Sequence, residues 1–177
     1  MTSTLGRTIW DQLDAATRGR TPFTLAHVGT IGHQGPEVRA MILRAVSAPD
    51  VFLATDRRTA KLDQLRHDPR IAVTCWDEGA QVQLRLRGVA ELVEDPATLA
   101  RIWESFRPGT RDLFTAPTTP GTSLADAPAR DDAEPFERFG WLRVRVAEID
   151  HLDLSGPTHR RHVLRRADEW AAVPVVP

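Results

Sequence analysis

Apolar residues recur along this chain with two periods, and the switches between them mark out its elements. Leu5, Ile9, Trp10 and Leu13 share one face of a helical repeat, which predicts a helix over Leu5–Thr17 that Gly19 and Pro22 bring to an end. Phe23 to Thr30 reads as a strand, and Gly32-His33-Gln34-Gly35 offers hairpin turn chemistry, with Pro36 fixing the exit. On the return strand, about Val38 to Val46, the apolar positions Val38, Ala40, Ile42 and Ala45 or Val46 are set among Arg39, Met41 and Arg44. Ala48-Pro49-Asp50 is a second turn and Val51–Thr55 a third strand. Thr59 to His67 returns to the helical period through Leu62 and Leu65, and Asp68-Pro69 stops it.

Ile71 to Trp76 has the character of a buried strand. Gln81 to Val93 alternates, with Val82, Leu84, Leu86 and Val89 facing one way and Gln83, Arg85 and Arg87 the other. Asp95 is an N-cap and Pro96 a first helical residue for a helix whose face is Leu99, Ile102, Trp103 and Phe106. Residues 107–137 are rich in proline, threonine and serine, carry Asp126, Asp131 and Asp132, and show little periodicity. A loop of that length is expected to be mobile or to work as a lid or binding segment. Strand character resumes from Gly140 to Ile149, a turn falls around Ser155-Gly156-Pro157, and a last hairpin spans Arg160 to Val176. Many short strands with helices at the periphery predict a mainly β fold, an antiparallel barrel rather than a parallel α/β sheet.

Composition adds bounds to that picture. The 177 residues suit a single domain with a proper core. A formal net charge of -1 provides no global field for nucleic acid. The lone Cys75 cannot form an intramolecular disulfide, and neither a secretory leader nor a membrane-spanning apolar run is visible. The expectation is a soluble, cytoplasmic protein with no nucleic-acid or membrane partner.

Several familiar chemistries are poorly served. The glycines of Gly29–Gly35 join two strands and open no helix, so they make a hairpin rather than a phosphate loop. The six histidines are scattered, and no metal site is expected. Cys75 has no basic neighbour in sequence to activate it. What stands out is a set of cations near strand ends: Arg39 and Arg44 on the second strand, with Arg57, Arg58 and Lys61 around a strand-to-helix turn that also holds Thr55 and Thr59. A phosphate monoester needs charged donors converging from several segments, and a helix N-terminus helps. On charge alone, solvated strand-edge residues are the commoner explanation of such arginines.

Six ordered segments decide between these. Arg39-Ala-Met-Ile-Leu-Arg44, Thr55-Asp-Arg-Arg-Thr-Ala-Lys61, His67-Asp-Pro-Arg-Ile-Ala-Val73 with Cys75-Trp76, Gln83-Leu-Arg-Leu-Arg-Gly88 with Glu91, His159-Arg-Arg161, and Trp170 before Pro177 follow one another at set intervals. In this order they resemble the pyridoxamine 5'-phosphate oxidase family of FMN proteins, whose fold is the FMN-binding split β-barrel. The resemblance implies that Arg39 and Lys61 hold the FMN phosphate with help from Thr55 and Thr59. It further implies that Ala40, Met41, Ile42 and Leu43 line the ring with their backbone and that Ala54 lies alongside. Arg44 and Gln83 would donate to the ring's polar edge, and Arg161 would reach it from the C-terminal segment. Family members place FMN at a homodimer interface, so a homodimer with two sites and a small-molecule substrate is implied. His159 is the candidate for proton transfer, since imidazole titrates in the neutral range; a hairpin histidine with no chemical role is the competing reading.

The chain also departs from the oxidases. They carry an arginine two residues before the C-terminal histidine, where Pro157 stands here, and the sequence holds no tyrosine for the substrate contacts they make. The aromatic position that packs on the flavin there is His151 or a neighbour here. Trp103-Glu-Ser-Phe-Arg107, followed by Thr115–Gly121, is closer to a sister group described only as FMN-binding. The reading is therefore an FMN-dependent oxidoreductase exchanging hydride with an unidentified small substrate or a nicotinamide, with residues 107–137 over the site. A non-catalytic flavin-binding or sensing protein and a deazaflavin F420 reductase on the same barrel are its alternatives.

Overall fold

In the computed structural model, which describes residues 2–126 and 133–177, the alternating segments pair as eight antiparallel strands. They are β1 (Leu25–Gly32), β2 (Gly35–Ser47), β3 (Asp50–Asp56), β4 (Arg70–Asp77), β5 (Val82–Leu92), β6 (Phe139–Asp153), β7 (Arg160–Arg165) and β8 (Ala172–Val175). Their order across the sheet is β3-β2-β1-β4-β5-β6-β7-β8, and β3 also pairs with β6. That extra pairing closes the first six into a barrel, leaving β7 and β8 as an extension from one side. β6 serves both: Phe139–Arg145 bonds β3, whereas Glu148–Asp153 bonds β7.

The barrel interior holds Ala26, Val28, Leu53, Val73, Leu84, Leu86, Val144 and Ile149, all nearly inaccessible to solvent. Helix α1 (Thr4–Arg18) packs Ile9, Trp10 and Leu13 against this core. Ser3 caps it twice over, accepting from the Gly6 amide at 3.1 Å and donating to the Trp170 carbonyl at 2.7 Å, and Trp10 meets Trp170 edge-on. The chain's two ends are thereby joined. Helix α2 (Ala60–His67) follows β3, and α3 (Pro96–Ser105) begins as its sequence requires, with Asp95 accepting from the Thr98 amide at 2.8 Å.

A second apolar cluster lies outside the barrel, over β3 and β6. Leu99, Phe114, Phe139 and Trp141 are its buried members, with Phe52, Trp103 and Phe106 packed around them. The expected irregular segment contributes to it. Residues 107–137 include α4 (Pro108–Arg111), 3-10 turns at Asp112–Phe114 and Leu124–Asp126, and α5 (Pro135–Arg138), while 127–132 lie outside the described residues. Buried Arg138 donates to the Phe114 carbonyl at 3.1 Å, and Arg58 reaches the carbonyls of Ala116 and Pro117. Backbone groups that an unsupported loop would leave to water are bonded here.

Alternation along β2 leaves open which face is buried, and the structure decides it. The apolar set Val38, Ala40 and Ile42 points outward, Val38 being 70% exposed, and Leu43 alone of that stretch is buried. The inward positions, Arg39 and Met41, lie opposite Val28 and Ala26 of β1. Arg39 can occupy one because it sits near the barrel rim, among buried polar groups described below. The outward face continues through Leu25, Ile31, Trp76, Val89, Val173 and Val175, all exposed. Among the described residues no helix is long and apolar enough to cross a membrane.

Gly88 marks an irregularity in the β5–β6 register, where Arg87 faces Glu148 but Gly88 faces Val146. A Cβ there would lie 2.1 Å from the Arg145 carbonyl oxygen, which is backbone and cannot rotate away. Gly88→Ala should therefore destabilise the fold by about 1–3 kcal/mol, the usual cost of overpacking. Urea denaturation of the two proteins checks this.

Candidate FMN site

The turn between β3 and α2 assembles a dense polar cluster. Asp56 organises it: its carboxylate accepts from the Arg58 amide at 2.8 Å and pairs with the Arg58 guanidinium at 2.7 Å. Its carbonyl accepts from Thr59 Oγ1 at 2.7 Å. Thr59 is thereby fixed as the N-cap of α2, with its hydroxyl turned away from the helix amides. Lys61 Nζ donates to Thr55 Oγ1 at 2.7 Å and to Thr59 Oγ1 at 2.8 Å. Both acceptors are neutral. Burial, and next the nearby charge of Arg39, lower the Lys61 pKa to about 8, and Asp56 only partly opposes them.

Arg39 approaches from β2. Its guanidinium donates to Thr30 Oγ1, to Glu37 Oε2 at 2.9 Å and to Gln64 Oε1 at 3.2 Å. Gln64 in turn donates to Glu37 Oε1 at 2.7 Å and accepts from Thr30 at 2.6 Å. Thr30 and Gln64 are both buried, so the network holds Arg39 at the rim without leaving a polar atom of theirs unbonded. Sequence reasoning missed Thr30, Glu37 and Gln64. The available signal was Gln64 itself, a polar residue beside Leu62 and Leu65 on the buried side of α2.

A cavity of about 320 Å3 opens between these groups and the outward face of β2. Its walls include eight of the expected ligands: Arg39, Ala40, Met41, Ile42, Arg44, Ala54, Thr55 and Lys61. Leu113 and Phe114 complete it from the segment after α4. Thr59 borders it through Lys61. Leu43 does not enter it with its side chain, which belongs to the barrel core. A register shift between Leu43 and Ala45 makes Arg44 the extra residue, and its guanidinium lies 5.7 Å from the Phe106 ring centroid. Burial lowers the Arg44 pKa from its ordinary value.

The remaining expected residues lie elsewhere. Gln83, Leu152 and Arg161 are side by side across β5, β6 and β7, and neither Gln83 nor Arg161 lines the cavity. Three strand spacings, roughly 14 Å, separate β5 from β2 along the sheet. His159 is exposed in the connection before β7 and lines neither this cavity nor its neighbour. One chain thus splits the expected set between two regions of the barrel. The neighbouring groove, about 1100 Å3, shares Leu25, Ile42 and Arg44 with the cavity and continues past Arg18, Arg20, Phe106 and Arg107.

The fit to a flavin mononucleotide rests on the charge balance. Arg39 and Lys61 converge with two hydroxyls at the start of a helix, a donor set that suits a phosphate, while burial and then the charge of Arg39 lower the Lys61 pKa. Among the described residues no cluster of three or more metal-ligating side chains is present. Cys75 is buried, and burial pushes its thiol up to about 12, which leaves it without nucleophilic character.

Comparison with known proteins agrees. A sequence model described as pyridoxamine 5'-phosphate oxidase, FMN-binding domain, matches residues 6–94. A pyridoxine/pyridoxamine 5'-phosphate oxidase of Kineococcus radiotolerans is 27% identical over 164 residues, covering 84% of this chain and 73% of that protein. A pyridoxamine 5'-phosphate oxidase-related, FMN-binding protein of Nostoc punctiforme superposes with a TM-score of 0.78 at 21% identity, over 97% of this chain and 96% of the other. PhzG of Burkholderia lata, solved with tetrahydrophenazine-1-carboxylic acid, gives 0.72 at 16% identity, over 98% and 91%. The barrel, the phosphate-type cluster and the match over residues 6–94 place this chain in the pyridoxamine 5'-phosphate oxidase family of FMN-binding split barrels.

Proposed function

We propose that this protein is a homodimeric, FMN-dependent oxidoreductase acting on a small anionic substrate. The observation that carries the reading is the union of two spaces. The cavity is lined by Arg39, Thr55 and Lys61, the last bonded to Thr59, where the FMN phosphate would be held, and opens through Arg44 into a groove rich in arginine. Bound FMN supplies the hydride chemistry.

Within the groove, Arg18 is paired with Asp14, but Arg20, Arg44 and Arg107 have no ion-pair partner among the described residues. Three cations facing one space without a carboxylate favour a negatively charged ligand, which they would bind and orient beside the ring. A carboxylic acid is what the PhzG structure holds, and that fits the same chemistry. Vitamin B6 phosphate oxidation is not the favoured reaction. Pro157 has no side-chain donor where the oxidases use arginine, and no tyrosine is present.

Dimerisation answers the split of the site. The exposed apolar strip through Leu25, Ile31, Val38, Ile42, Trp76, Val89, Val173 and Val175 is what a second copy would cover. Gln83 and Arg161 lie on this same outward face, so a partner packed there would deliver them to the cavity of its neighbour. His159, two residues before Arg161, would come with them and could move a proton at the substrate.

Three outcomes test the reading. Arg39→Ala and Lys61→Ala should each weaken FMN binding by ~1.5–3 kcal/mol in fluorescence titrations, the worth of a charged hydrogen bond; wild-type affinity in both removes the phosphate assignment. Binding should also depend on pH. A bound phosphate raises the Lys61 pKa, so above about 8 the complex must take up a proton, and affinity falls as pH rises past that value. Isothermal titration in two buffers reads both the decline and the proton uptake. Finally, anaerobic mixing of the FMN-loaded protein with small carboxylates, phosphorylated compounds and NAD(P)H should bleach the flavin band with at least one anion. Arg107→Ala should slow that bleaching while FMN affinity is unchanged. A flavin that none of them reduces supports a binding role without catalysis.

A further inference from the structure

The outward face of β5, β6 and β7 carries a carboxylate that the proposed chemistry does not use. Asp150 is only 2% exposed although its strand face is turned away from the barrel core, because two guanidinium groups cover it. Arg161 binds side-on, Nε to Oδ1 at 3.0 Å and Nη2 to Oδ2 at 2.8 Å. Arg85 donates to Oδ2 from the opposite strand. Val163 lies directly across from Asp150 and is itself buried.

A side-on pair fixes the plane of a guanidinium, which a single hydrogen bond does not. With Nε and Nη2 committed to Asp150, the Nη1 edge of Arg161 has no partner among the described residues and is free for a ligand. The second cation matters too. One carboxylate between two guanidiniums leaves the cluster with a net positive charge, so Arg161 is aligned without being neutralised. Burial alone would raise the Asp150 pKa, yet the hydrogen bonds from Arg161 and Arg85 hold it below its ordinary value, and the carboxylate stays charged throughout the neutral range.

We propose that Asp150 is a positioning residue for the flavin site, holding Arg161 in the orientation that presents its Nη1 edge to FMN bound by the partner protomer. The proposal rests on the assignment of Arg161 to FMN made above, and it adds a group that touches neither cofactor nor substrate. Arg85 completes the device by keeping Asp150 buried and ionised.

A double-mutant cycle on the FMN-loaded protein tests it, read by FMN dissociation constant and by the midpoint potential of the bound flavin. Asp150→Asn and Arg161→Ala should each weaken FMN binding by roughly tenfold, the scale on which groups that orient a ligand-binding side chain act. The double variant should be no weaker than Arg161→Ala alone. The potential separates positioning from plain charge. Deleting a nearby negative charge by itself raises the potential, because reduction adds negative charge to the ring; losing the aligned Arg161 lowers it. A fall in both single variants supports the proposal. A rise in Asp150→Asn, or additive losses of affinity, overturns it. Asp150→Glu, which keeps the charge and both acceptors, should restore most of the affinity and guards against a folding defect in the amide variant. If Arg161→Ala leaves both readouts unchanged, the assignment of Arg161 fails and the positioning role falls with it. An effect of Arg161→Ala combined with a silent Asp150→Asn overturns the positioning role alone.

Discussion

The fold depends on β6 pairing twice along one edge, with β3 over Phe139–Arg145, which closes the barrel, and with β7 over Glu148–Asp153, which extends it. The first pairing brings the end of β3 beside Phe139 and Gly140, and so sets where Thr55, Asp56 and the start of α2 emerge. It also creates the outer surface on which Phe52 and Trp141 stack, with ring centroids 5.5 Å apart. That surface seats α3 and the segment carrying Phe114. The second pairing holds β7 and β8 away from the barrel wall, with Arg161 and Asp150 on the outward side. A strand that ended at Ile149, as its hydrophobic alternation implies, would have no register for β7 beyond Leu164. Four further residues carry the C-terminal hairpin.

Electrostatics then explains why the polar groups are arranged as they are. Lys61 sits between two neutral hydroxyls with Arg39 close by, an arrangement that folding alone does not favour. Burial and then the charge of Arg39 lower the Lys61 pKa, a local conflict that a bound anion would relieve. Arg58 shows the contrast. It lies in the same turn, but Asp56 satisfies it and it goes on to tie down Ala116 and Pro117, so its work is structural. Under the proposed function, neighbouring cations in one sequence segment are divided between holding a loop and binding an anion.

Much of this was legible in the sequence, for identifiable reasons. The caps of α3 are local chemistry, so Asp95 and Pro96 gave the boundary directly. Thr55, Thr59 and Lys61 fall within seven residues and were recognisable as a segment. Arg39 was recognisable too, but its partners Thr30 and Gln64 were not, because β1 and α2 supply them and only the folded chain brings them to Arg39 and Glu37 of β2. Alternation could tell that β2 has two faces without telling which is buried. Val38, Ala40 and Ile42 look like a core set and are an exposed one, since apolar residues on a sheet face meant for a partner carry the same pattern as those meant for the interior. Asp150 was hidden for a related reason: its significance lies in Arg85 and Arg161, 65 and 11 residues away.

The departures from the oxidases point the same way as the groove. A donor is missing from the C-terminal segment at Pro157, whereas Arg20 after α1 and Arg107 after α3, without an ion-pair partner among the described residues, line the groove. Under the proposed function, recognition of the substrate's charge would therefore come from helix termini and loops within the same protomer. The partner's segment would be left to serve the flavin. Such a division separates the two tasks physically. Arg161, bonded to Asp150, lies on a strand paired on both sides, while Arg20 and Arg107 lie outside the strands, where sequence can vary without disturbing a register. Under that reading, a cofactor that must be held in one orientation would be matched to the strand, and the substrate to the loops.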